Sequence, residues 1–91
     1  MEDLSKQGVV LSRHALKEAL EDIISMRELE SNLDNALVMD SGLGKEKAVC
    51  KIKDRYVTAI FVRFRNGIKI ITCWGSSLWE TQAYENALKK M

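Results

Sequence analysis

The apolar and polar positions divide the chain into a helical N-terminal half, a strand-rich centre and a C-terminal helix. Leu16, Ala19, Leu20, Ile23 and Ile24 recur at i, i+3, i+4, i+7 and i+8 behind a candidate N-cap, Ser12, which predicts a helix over 13–24 that buries this stripe. Ser25 and Glu28 have capping-box spacing, so a second helix should run to about 35 or 36 with Met26, Leu29 and Leu33 inward. Leu37–Met39 reads as a short strand and Asp40–Gly44 as a loop, since Gly42-x-Gly44 lacks the third glycine of a nucleotide-binding turn. From Lys47 to Trp74 the period shortens to two, with strands over 47–53, 56–65 and 68–74. A second box, Ser77 to Glu80, opens a helix to about Lys90 that should dock on the sheet through Trp79, Ala83, Ala87 and Met91, with Tyr84 and Leu88 beside them. Gly8–Leu11 is a candidate edge strand, and residues 1–8 read as a frayed start. The expected order is (β)ααββββα over one domain, 1–91. This is an α+β fold with two N-terminal helices, a mainly antiparallel four-stranded sheet and a C-terminal helix.

Asn66-Gly67 between two β-rich runs favours a two-residue type I′ turn, because both central residues then need positive φ. That turn would set Arg65 opposite Ile68, Arg63 opposite Ile70, Phe61 opposite Thr72 and Ile60 opposite Cys73. Opposed residues share a face. Ile60, Val62, Phe64, Ile71 and Cys73 would then be the core side. Ala59, Phe61, Arg63, Arg65, Ile68, Ile70, Thr72 and Trp74 would form a mixed, half-covered surface suited to binding. For strand 47–53 two registers remain open. A turn at Asp54-Arg55 puts Cys50 opposite Ala59, with Cys50 and Cys73 on opposite faces. A turn one residue longer brings Lys51 and Lys53 beside Arg63 and Arg65.

Charge changes this picture. The net charge is +1, but residues 1–44 carry four Lys or Arg against nine Asp or Glu, and residues 45–69 carry eight against two. An acidic helical half and a basic sheet half point towards nucleic acid, or towards strand edges kept soluble by cations. Ninety-one residues support one modest core with little room for a deep pocket. The N-terminus lacks the pattern of a signal peptide and no run is long enough to span a membrane, so the chain reads as cytoplasmic. The two cysteines are then expected to be buried free thiols, and a single histidine without C-x-x-C argues against zinc. No cofactor is expected.

Few residues stand out as chemistry. His14, at a helix start, can act as a general base or meet phosphate, or be simply exposed; Glu18 lies four residues on. Arg63 and Arg65 could neutralise phosphate, and Lys51 and Lys53 could join them. Phe61 and Trp74 could stack bases or pack under the last helix. Thr72 offers a hydroxyl on the mixed face, and Tyr84 a phenol near the sheet.

Ser12-Arg13-His14-Ala15 opening a helix and Ile70-Ile71-Thr72 closing the sheet resemble the signatures of a group of small prokaryotic domains related to BrnT and RelE/ParE-like toxins. The resemblance spans roughly residues 10–88. It implies a small antiparallel sheet with flanking helices and metal-independent acid–base cleavage of RNA, free or on the ribosome. It also implies neutralisation by an antitoxin protein. Carried over, it points to Arg13, His14 and Thr72, with Arg63 and Arg65 matching only the general idea of basic strand residues. The opening signature often continues to an arginine where this chain has Glu18, and a full helix follows the sheet where several such toxins have a short catalytic tail. The competing reading is a protein-interaction module, or a homodimer pairing acidic helices with basic sheet.

Overall fold

The computed structural model describes residues 1–4 and 8–91. Its elements are β1 (Gly8–Leu11), α1 (Arg13–Glu21), α2 (Met26–Ser31), a 3-10 turn (Leu33–Asn35), β2 (Leu37–Gly42), β3 (Lys45–Ile52), β4 (Arg55–Phe64), β5 (Gly67–Gly75) and α3 (Leu78–Lys89). They form one mixed α+β sheet in the order β1-β5-β4-β3-β2. The four antiparallel strands are those expected, except that β2 runs on through Asp40–Gly42, read as loop, and leaves only Leu43-Gly44 as the turn into β3. The edge strand β1 adds a fifth, parallel to β5, with Gly8 opposite Gly67 and Leu11 opposite Ile70.

The faces are set by a register that differs from the expected one. The β4–β5 turn is Arg65-Asn66, with Phe64 opposite Gly67 and Arg63 opposite Ile68. Neither Arg65, Asn66 nor Gly67 has a positive φ, so the turn is not type I′. Gly67 serves a different need. A Cβ there would lie 2.1 Å from the Gly8 carbonyl oxygen, so its bare backbone lets β1 approach. Further along, Phe61 pairs with Ile70 but Ile60 with Thr72. Ile71 is thus an extra residue, a β-bulge that turns the rest of β5 over. At the β3–β4 turn Ile52 faces Arg55 and the turn is Lys53-Asp54, with Lys53 at φ +56°.

The sheet separates two layers. Ala59, Phe61, Ile68 and Ile70 are fully buried in one core with Ala48, Cys50 and Cys73, against Ala15 and Ala19 of α1 and Leu29 of α2. This corrects the expected assignment. The face read as a mixed binding surface is the main core, and Arg63 lies at its rim. The bulge also moves Cys73 to this side, the same side as Cys50. Both thiols are free and buried.

α1 is rotated from its predicted orientation. It packs through Ala15 and Ala19, whose small side chains let its backbone lie close to β5, with Cys73 Sγ 3.6 Å from the Ala15 carbonyl oxygen. Leu16, Leu20 and Ile23 point outward. Ser12 caps the helix and also donates to the Ile71 carbonyl oxygen at 2.7 Å. The helix ends in a Schellman arrangement, with Ile24 N–H on Ala19 O and Ile23 N–H on Leu20 O. Ile23 holds the left-handed position at φ +53°, a conformation that costs a side-chain-bearing residue about 1–2 kcal/mol.

α3 lies on the other face. Its capping box is formed by Ser77 and Glu80. It docks through Glu80 and Tyr84; of the predicted stripe, Ala83 and Ala87 are half-buried while Trp79 and Met91 are exposed. The Tyr84 ring meets Tyr56 edge-on at 5.6 Å, and its hydroxyl donates to the Asn35 carbonyl oxygen. The N-terminus belongs to the fold as well. Glu2 bridges Ala36, and Leu4 is fully buried; residues 5–7, within the start expected to fray, lie outside the described residues.

Candidate nucleic-acid interface

Alternation along the strands assigns Lys47, Val49 and Lys51 of β3, Tyr56, Thr58, Ile60 and Val62 of β4, and Lys69, Thr72 and Trp74 of β5 to the α3 face. α3 covers only one end of it. Val49 and Thr58 are fully buried there. Towards the β4–β5 turn the face opens: Val62 and Thr72 are half-buried, Phe64 is 46% exposed and Lys69 is exposed.

The boundary between the covered and open parts is a cation held between two indoles. Lys47 Nζ lies 4.8 Å from the Trp79 ring centroid and 5.8 Å from that of Trp74, and 3.1 Å from Glu80 Oε2. Glu80 is only 2% exposed. Burial alone would raise its pKa. That penalty is outweighed by the Ser77 backbone N–H, the Trp74 indole N–H, Lys47 and the Ser77 hydroxyl, which together lower the carboxyl to about 2. The carboxylate thus fixes Trp74 (Nε1 to Oε1, 3.1 Å) and Lys47 in place, while Trp79 stays 57% exposed. An exposed indole at a fixed lysine, on a face that also carries Lys69 and Thr72, can stack a base and meet phosphate.

The residues expected to act together are divided between layers. Thr72 and Trp74 are on this face, as is Lys51, whose Nζ lies 5.6 Å from the Tyr56 ring. Arg63 is on the opposite face, held by Glu46 (Nε to Oε2, 2.6 Å) and Glu2 (Nη2 to Oε2, 2.7 Å), and these bonds drive its pKa further up. His14 is exposed on α1, the helix layer, with Nε2 3.5 Å from Glu18 Oε1; Arg13 beside it is exposed too. Lys53 sits in the β3–β4 turn, paired with Glu28 at 3.3 Å, so Glu28 answers this turn cation and Ser25 alone caps α2. Arg65 is exposed in the β4–β5 turn. The basic patch expected from Lys51, Lys53, Arg63 and Arg65 on one face is not formed. The one-residue bulge at Ile71 is what parts Thr72 and Trp74 from Arg63.

Sequence reasoning missed Lys47, Trp79 and the second role of Glu80. The capping box located Glu80 correctly, but its burial and its ion pair depend on which face of β3 carries Lys47, and that follows from register.

No helix among the described residues is long and apolar enough to cross a membrane. No family model and no curated protein matches the sequence. Among solved structures, the chain is similar to the 1.1 Å crystal structure of the Brucella abortus ribonuclease toxin BrnT, with a TM-score of 0.60 and 12% identity over 76% of this chain and 95% of that one. The chain has the fold of a BrnT-like toxin.

Proposed function

We propose that the chain is a toxin-type domain that binds single-stranded RNA on its open sheet face. One observation carries this reading: an exposed indole, Trp79, stands over a fixed lysine at the edge of a half-open face bearing Lys69 and Thr72. The fold supports it, because a chain of this fold is a ribonuclease toxin. Trp79 stacks a base, Lys47 and Lys69 meet the backbone, and Thr72 and Trp74 line the floor. The protein works in the cytoplasm, where an antitoxin-type partner covering this face would block RNA. Metal-independent cleavage would need a general base, and His14, the only histidine, lies on the far side of the sheet. We therefore assign binding to this face, and His14, Arg63 and Thr72, parted by the sheet, do not form one cleavage centre.

The test is fluorescence anisotropy with a labelled single-stranded RNA, together with a cleavage assay in chelator. Trp79→Ala should weaken binding about tenfold, in keeping with one lost base stack, and His14→Ala should leave binding unchanged. Unchanged affinity in Trp79→Ala and Lys69→Ala would overturn the assignment of the face. Cleavage lost in His14→Ala with binding retained would place catalysis on the α1 side.

A further inference from the structure

The apolar stripe that α1 turns away from the core is left uncovered by the described residues. Leu16, Leu20 and Ile23 are 43%, 82% and 86% exposed. Leu16 and Leu20 stand one turn apart on α1, and Ile23 follows just past its C-terminal end. Ile23 is the most telling of the three. It occupies the C′ position of a Schellman cap, where glycine is the relaxed choice, yet the chain places a β-branched side chain there in the left-handed conformation. The turn is secured by Arg55, whose Nη1 donates to the Asp22 and Ile23 carbonyl oxygens at 2.8 and 3.0 Å. The strained backbone aims the Ile23 side chain outward beside Leu20. Next to both runs an open groove of about 410 Å³, lined by Ala19, Leu20, Ile23, Ile24, Ser25 and Glu28.

The charges along the stripe identify its occupant. Lys17 and Glu21 are exposed one turn apart on the same flank of the stripe. In an antiparallel pair of identical helices, equal flanks meet, and a two-fold axis at the level of Ala19 and Leu20 brings Lys17 of each copy near Glu21 of the other. The same axis brings Leu16 near Ile23 and the two Leu20 side chains near each other. Arg13 then approaches the C-terminal end of the opposite α1, the negative end of its dipole. Stripe and charges are complementary under one and the same operation, as an isologous contact requires.

We propose that a second copy of this chain docks on α1 through an antiparallel α1–α1 contact built on Leu16, Leu20 and Ile23 and keyed by reciprocal Lys17–Glu21 pairs. The contact lies on the helix layer, so it leaves the α3 face of both copies open and does not depend on what that face binds.

Sedimentation equilibrium over a range of protein concentrations tests it. The wild type should be a dimer. Lys17→Glu and Glu21→Lys, each alone, place like charges against each other and should weaken dimerisation about tenfold; the double variant should restore it. Ile23→Gly removes the aimed side chain and relieves the backbone, so the dimer should weaken while the thermal midpoint, read at monomeric concentration, holds or rises. A wild type that stays monomeric, single charge variants that associate as well as the wild type, or a double variant that does not recover would overturn the proposal.

Discussion

Gly67 faces Gly8 so closely across the β1–β5 pair that no side chain fits between them. A Cβ on Gly67 would lie 2.1 Å from the Gly8 carbonyl oxygen, whereas one on Gly8 would lie 3.1 Å from the Asn66 carbonyl oxygen. Gly67→Ala should therefore push β1 off the sheet and lower stability by about 2–3 kcal/mol, the cost of a forced backbone shift. Gly8→Ala should cost clearly less. Urea unfolding of both variants checks the order, and equal losses would refute it.

Glu80 makes stability depend on acid. Its carboxyl is lowered from an ordinary 4.5 to about 2 in the folded chain. A depressed carboxyl stabilises the fold fully above its unfolded value and loses that contribution as pH falls through the folded one. The loss should amount to about 3 kcal/mol between pH 4.5 and 2. Glu80→Gln should be less stable at neutral pH, with Lys47 left without its partner, and should show a shallower decline over the same interval. Thermal melts across this pH range decide it.

The two thiols should be inert while the protein is folded. Both are fully buried. Burial, with Asp34 adding to it, pushes Cys50 up to about 12; burial, then Asp22 and Glu18, raises Cys73. Thiolate is the reactive form, so a disulfide reagent at pH 8 should modify them only as fast as the chain opens. Modification at the rate of a free thiol would contradict this.

Arg63 should matter little to RNA. It lies on the helix side of the sheet, with both neighbouring carboxylates bound to it. Arg63→Ala should cost about 1 kcal/mol or less of stability, as exposed ion pairs do, and leave RNA affinity unchanged. Lys69→Ala should reduce the salt dependence of binding by about one charge.

The order of elements was legible because each is marked locally. Ser12, Ser25 and Ser77 are N-caps in sequence and in structure, and the β-branched runs of the centre are strands. What could not be read was decided by distant partners. Asn66-Gly67 is a strong turn signal, yet the glycine is committed to β1, which lies near the opposite end of the sequence. One extra residue at Ile71 then exchanged the faces of Thr72 and Cys73. On α1 the larger apolar side chains suggested the core face, but close packing on β5 selected Ala15 and Ala19. The Lys47, Trp79 and Glu80 cluster followed from register and so was out of reach. His14, whose role the sequence left open, is exposed beside Glu18, the neighbour its helical spacing predicts.

The parallel contact between β1 and β5 also orders events in time. The hairpins β2–β3, β3–β4 and β4–β5 join neighbours in sequence and can close as soon as their short turns form. Ser12 and Ile71 are 59 positions apart, so closing that loop costs more chain entropy and follows later. During synthesis, the first strand must wait, unpaired, until the last strand has left the ribosome. Until then the unpaired β1 can join another strand, and this is the interval in which a growing chain is most exposed to mispairing.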